Sequence, residues 1–149
     1  GFNARSFSES SGLRYITIMI DEDMPKIFGL DSVNFKKKYY VIEGPIDSLF
    51  IDNSVAMAGA DGKASGLKST ENAVFVFDNE PRNKEIVSRM EKCLDNGFSV
   101  CLWPERLIEK DINDMILSGL SSDYIKNIID EHTYSGLEGK LHLSIWKRC

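Results

Sequence analysis

The chain has 149 residues, 42% apolar and 28% charged, with a formal net charge of -5. That length supports about one domain burying roughly two-thirds of its unfolded surface, and the acidic balance speaks against indiscriminate nucleic-acid binding. The longest apolar runs fall far short of the ~20 residues that cross a bilayer, and no basic segment precedes an apolar secretory core, so a cytoplasmic protein with no membrane partner is expected.

Gly1, not Met, stands first, and Gly1-Phe2-Asn3-Ala4-Arg5 has no start signal; a piece of a longer protein is expected. Residues 1 to 12 are rich in Ser, Gly and Asn and read as loop. Arg14 to Ile20 alternates aromatic and β-branched residues, a strand signal closed by Asp21-Glu22-Asp23, whose adjacent acids repel and suit a solvated turn. Residues 25 to 33 read as an irregular connector. Lys36-Lys37-Lys38 is either a solvated face or a phosphate contact.

Tyr39-Tyr40-Val41-Ile42 is an apolar strand that delivers Glu43 to the Gly44-Pro45 break, and Ile46 to Phe50 reads as a short helix. Ser54 to Ala58 is a second strand ending in the loop Gly59-Ala60-Asp61-Gly62, and Lys63 to Asn72 is helix or loop. Ala73 to Phe77 is a strand ending in Asp78-Asn79-Glu80. A helix follows from about Arg82 to Asp95, with Ile86, Val87, Met90, Cys93 and Leu94 at the spacing of one buried face, stopped by Gly97.

Phe98 to Trp103 reads as a further strand, halted by Pro104. Asp111 is a plausible N-cap for a helix running to Leu117, with Gly119 beyond its end, and residues 121 to 131 form another helix. Leu141, Leu143 and Ile145 alternate with His142, Ser144 and Trp146, which predicts a terminal half-exposed strand. The alternation of strands and helices from residue 39 implies an α/β fold with a parallel sheet and right-handed crossovers.

Glu43, Asp78, Glu80, Asp111 and Asp114 each lie just beyond a predicted strand end, so a parallel sheet brings them toward one edge. Several carboxylates converge cheaply only around cations, and oxygen-only ligation favours Mg²⁺ or Mn²⁺ over zinc. The plainer alternative leaves Asp111 as a cap, Asp114 solvated and Glu80 as a favourable charge near a helix start. Cys93 is expected on a helix and Cys101 in a strand. With Cys149 they show neither a disulfide framework nor a zinc ribbon. His132 and His142 lie far from the acidic turns, so no Ser-His-Asp or Cys-His relay is supported, and no phosphate-binding G-x-x-x-x-G-K-[ST] loop exists.

Val41-Ile42-Glu43-Gly44-Pro45-Ile46-Asp47-Ser48-Leu49, Val55 to Gly59, Val76-Phe77-Asp78-Asn79-Glu80 and Lys110-Asp111-Ile112-Asn113-Asp114 together resemble the Toprim domain of bacterial-type DNA primases, topoisomerases and some nucleases. Gly1 to Arg5, Arg14-Tyr15 and Ile27 to Leu30 look like the segment preceding Toprim in such primases. The Asp78 to Lys84 turn looks most like primases of large tailed phages. Two departures stand out: Glu80 replaces the second aspartate of the family's D-x-D, and Pro81-Arg82 replaces the small pair after it.

The resemblance implies a four-stranded parallel sheet flanked by helices over residues 36–120. Residues 1–35 would then close a basic subdomain, and residues 121–149 would pack on the core as helix and strand. It implies Glu43, Asp78, Glu80 and Asp111 as catalytic metal ligands, Asp114 as a further ligand, and Asp47 as either a member or a turn support. Arg5, Lys36, Lys37, Lys38 and Arg82 would hold nucleotide or template. The implied activity is Mg²⁺- or Mn²⁺-dependent synthesis of RNA primers from ribonucleoside triphosphates on single-stranded DNA, in the company of a replicative helicase. A Toprim nuclease or topoisomerase fragment, or an inactive interaction module, are the rival readings.

Overall fold

The computed structural model describes residues 2–6, 15–18, 20–21, 26–57, 67 and 71–149. Arg14, Met19, the acids Glu22 and Asp23, the Gly59–Gly62 loop and most of the segment 63–72 lie outside the described residues.

Two strands, β1 (Phe2–Arg5) and β2 (Tyr15–Ile18), form an antiparallel pair with Phe2 opposite Ile18 and Arg5 opposite Tyr15. The expected opening loop therefore contains a strand. Its ordering comes from a partner more than ten residues away, which the local Ser- and Gly-rich composition does not report.

The main sheet has six described strands in the order β3-β5-β4-β6-β7-β8. They are β3 (Ile27–Phe28), β4 (Tyr39–Ile42), β5 (Ser54–Met57), β6 (Ala73–Val76), β7 (Ser99–Cys101) and β8 (Thr133–Tyr134). The four middle strands are mutually parallel, whereas β3 and β8 pair antiparallel at the edges. The sheet is thus mixed and six-stranded, two strands wider than expected. Both edge strands are only two residues long and escaped notice because pairing, not sequence, orders them. The predicted connector over 25–33 contains β3.

Every residue of β4 and β6 is buried, as expected of strands covered on both faces. Period-two alternation sorts them. Tyr39, Val41, Ala73 and Phe75 pack with Ile86, Met90 and Leu94 of α2 (Lys84–Asp95) and Leu143 of α5 (Gly136–Trp146). Tyr40, Ile42, Val74 and Val76 pack with Ile112 and Met115 of α3 (Ile112–Leu117) and Ile125, Ile128 and Ile129 of α4 (Ser122–Glu131). A four-residue helix, α1 (Pro45–Ser48), turns the chain from β4 toward β5.

Local chemistry sets the helix ends. Asn83 Oδ1 accepts from the Glu85 and Ile86 amides, so α2 begins after Asn83 and not at Arg82 as expected. At the other end Gly97, at φ 81°, lets its own N–H reach the Leu94 carbonyl and the Phe98 N–H reach that of Cys93, a Schellman closure. Gly119, at φ 101°, closes α3 the same way onto Ile116 and, through Leu120, Met115.

The predicted terminal strand is a helix. In α5 the buried positions Gly139 and Leu143 stand four apart, with Trp146 three further on, while Leu137, Leu141 and Ile145 face outward on the opposite side. A Cβ on Gly139 would approach Leu94 Cδ2 at 2.6 Å, so glycine lets α5 lie against α2. The Leu-x-Leu-x-Ile alternation that mimicked a strand arises because apolar residues line both sides of this helix. His142, expected on a strand surface, instead stacks on Tyr134 with ring centroids 4.0 Å apart.

Candidate functional site

Parallel pairing of β4 and β6 sets Ile42 opposite Val76, so both strands leave the sheet at the same edge. Glu43 follows Ile42 at once, and Asp78 follows Val76 after Phe77. Two indoles brace that exit. Trp103 Nε1 donates to the Phe77 carbonyl at 2.8 Å, and Trp146 Nε1 donates to the Trp103 carbonyl at 3.0 Å. The Asp78 amide then donates to Glu43 Oε2 at 3.3 Å, joining the two turns directly.

Asn79 ties this edge to the loop before α3. Its amide donates to the Lys110 carbonyl at 2.6 Å, and its side-chain nitrogen donates to the carbonyls of Leu107 and Glu109 at 2.9 and 3.1 Å. Lys110 is thereby placed with its ammonium 3.7 Å from Asp78 Oδ2 and 3.6 Å from Glu80 Oε2. Asp111, next in the chain, accepts from the Asp114 amide at 2.8 Å and caps α3 as expected. Asp114 sits in the first turn of α3.

Asp47 supports the turn. Its Oδ1 accepts from the Asn113 amide at 2.8 Å, linking α1 to α3, and the missing side chain of Gly44 leaves room for its carboxylate. Arg89 of α2 donates from Nη1 to Glu43 Oε1 at 2.8 Å, with its guanidinium 5.1 Å from the centroid of the Phe77 ring.

The electrostatics are lopsided. Burial, then the charge of Glu43, with smaller additions from Asp111 and Asp47, pushes Asp78 from 3.8 up to about 7, against the opposing pull of Lys110. Asp47 is raised by burial and by Asp111 and Asp114, although the Asn113 amide works against this. Burial would lower Lys110, but Glu80 and Asp78 outweigh it and raise the ammonium above its ordinary value.

Glu43, Asp78, Glu80 and Asp111, from three segments, thus lie around one edge, and all their donors are carboxylate oxygens, the chemistry of hard divalent cations. Among the described residues no three acids, histidines or cysteines already stand as a ready ligand group. Lys110 lies between Asp78 and Glu80 instead. It is 54% exposed and its ion pairs are long, so its displacement by an ion costs little. In donor chemistry alone, oxygen-only and anionic, the set is of the type such a cation takes.

The other expected contacts are scattered. Arg82 is exposed in the turn before α2 and lines an open cleft of about 490 Å³ with Glu80, Pro81 and Asn83. Lys36, Lys37 and Lys38 precede β4 and so lie at the opposite edge of the sheet from Glu43, where Lys38 pairs with Asp130 at 3.0 Å. Of Arg5 only the backbone is described, in β1. Cys93 lies on α2 and Cys101 is buried in β7, as expected. Sequence reasoning passed over Arg89 and Asn79. The one local trace of Arg89 is its place three residues after Ile86, at the margin of the buried stripe of α2, which does not name a partner.

No helix among the described residues is long and apolar enough to cross a membrane. No family model matches the chain. The chain is 35% identical over 145 residues to the DNA primase of Enterobacteria phage T4, an alignment that takes in 96% of this chain and 42% of that protein. The chain spans less than half the length of that relative, and along nearly all of its own length it is similar to a segment of a phage DNA primase.

Proposed function

We propose that this chain is the Toprim-type catalytic core of a DNA primase, which builds RNA primers from ribonucleoside triphosphates on single-stranded DNA with Mg²⁺ or Mn²⁺. The observation that carries this reading is the junction of Glu43 and Asp78 at the carboxyl edge of neighbouring parallel strands, with Asp78 raised to about 7. Acids held together at such cost are typical of sites that take charge from outside. Similarity to a phage primase supplies the class of reaction.

Glu43, Asp78, Glu80 and Asp111 would hold the ions, with Asp114 beside Asp111 as an outer ligand. Bound there, divalent cations supply charge neutralisation for a triphosphate and for the departing pyrophosphate. Arg82, on the cleft beside Glu80, would contact phosphate oxygens. Lys36 and Lys37, at the far edge, and Arg5 in β1 would serve the template and not the triphosphate. Association with a replicative helicase is part of the same proposal.

Primer synthesis on single-stranded DNA by the full-length protein tests it, the chain alone being expected to prime weakly or not at all. Glu43→Gln and Asp78→Asn should each reduce the yield by about 100-fold or more, comparable to loss of a main transition-state stabiliser. Priming retained in either variant defeats the assignment.

The position of Lys110 between Asp78 and Glu80 favours a second reading, an inactive domain whose own lysine has replaced the ion. Calorimetry separates the two: Mn²⁺ binding supports the enzyme, and its absence supports the interaction module.

A further inference from the structure

Two cations touch the acidic edge, and they are held very differently. Lys110 is exposed and loosely set. Arg89 is 16% exposed, makes a 2.8 Å hydrogen bond to Glu43, and rests its guanidinium over the ring of Phe77, itself buried. An ion displaces the first kind of cation readily; the second belongs to the scaffold.

We propose that Arg89 is the positioning residue for Glu43, an inference that rests on the metal-site reading above. A carboxylate offers about four lone-pair sites. Arg89 takes one on Oε1 and the Asp78 amide takes one on Oε2, so the carboxylate plane is fixed by two donors, from α2 and from the turn after β6. The remaining lone pairs are left for a ligand on the side of Asp78. Phe77 completes the arrangement: its ring carries Arg89, and the residue after it is Asp78. One short segment thus sets both acids. Arrangements of this kind, in which an outer group orients a ligand, change metal affinity by about 10- to 100-fold when removed.

The test separates orientation from charge. Removing a positive charge beside an acidic site should strengthen cation binding on electrostatic grounds alone, whereas loss of orientation should weaken it. Mn²⁺ titrations by calorimetry on the chain, with circular dichroism as the check of folding, are expected to show Arg89→Gln weakened by about 10-fold or more. Arg89→Lys should fall between, because an ammonium restores charge without the planar fork. Unchanged or tighter binding in folded Arg89→Gln overturns the inference. If that variant does not fold, wild-type affinity in Arg89→Lys overturns it. Absence of Mn²⁺ binding by the wild-type chain removes the metal site itself, and the role of Arg89 falls with it.

Discussion

Two acids at opposite ends of neighbouring parallel strands show what a settled carboxylate looks like and what an unsettled one does. Asp130 of α4 lies at the amino end of β4, where the Tyr40 hydroxyl donates to it at 2.7 Å and Lys38 and Lys126 pair with it at 3.0 and 3.1 Å. Burial works to raise it, but these three partners prevail and hold it below the ordinary carboxylate range. Asp78, at the carboxyl end of the neighbouring strand, has Glu43 and Asp111 near it and only a distant lysine, and it stands at about 7. The chain neutralises the acid that serves its structure and leaves the acid at its edge in deficit. Such a deficit suits a site that binds positive charge.

The sharpest way to break this contrast is Asp78→Asn. Priming should fall by about 100-fold while the protein becomes more stable at pH 8, by on the order of 1–3 kcal/mol, because a half-buried charge beside Glu43 is removed. With the folded value raised from 3.8 to about 7, the protonated acid favours the fold below about pH 4, and that advantage is lost as the pH rises through about 7. The gain from Asp78→Asn in urea unfolding should therefore be present at pH 8 and absent at pH 4. A destabilised variant at pH 8 contradicts the picture.

Asp130→Asn should act in the opposite sense, costing about 1–3 kcal/mol at pH 7 by leaving two lysines and a buried tyrosine hydroxyl poorly matched. Since the folded carboxylate is lowered, its contribution is present above the ordinary value of 3.8 and lost as the pH falls below it. Thermal melts at pH 7 and pH 3 should show the variant's deficit shrinking in acid.

Mn²⁺ should raise the melting temperature of the wild-type chain through selective binding to the folded state and leave that of Asp78→Asn little changed. Equal shifts in both proteins would place the ion elsewhere.

The smallest effect is expected for Lys110→Ala. Its exposed, long ion pairs are worth about 0–1 kcal/mol, so unfolding should change little. Loss of the lysine should nonetheless tighten Mn²⁺ binding, which calorimetry would read directly. Weaker binding would make Lys110 part of the site and not a placeholder.

The central strands, the helices capped by Asp111 and Ser121, and the acids at the strand ends were legible because each depends on nearby residues: apolar runs, cap chemistry, glycine beyond a helix end. Pairing and packing decided the rest. The two-residue strands β3 and β8 exist only through their neighbours, and α5 lies against α2 because Gly139 fits under Leu94, a contact 45 residues distant in sequence that the local alternation does not report. The same divide runs through the site. Glu43 and Asp78 announce themselves at the ends of apolar strands, whereas the partners of Arg89, Lys110 and Asn79 follow from which segments the sheet sets side by side. Charge, unlike hydrophobic periodicity, acquires its meaning from groups remote along the chain, so the sequence named the acids and only the tertiary structure decided which of them were neutralised.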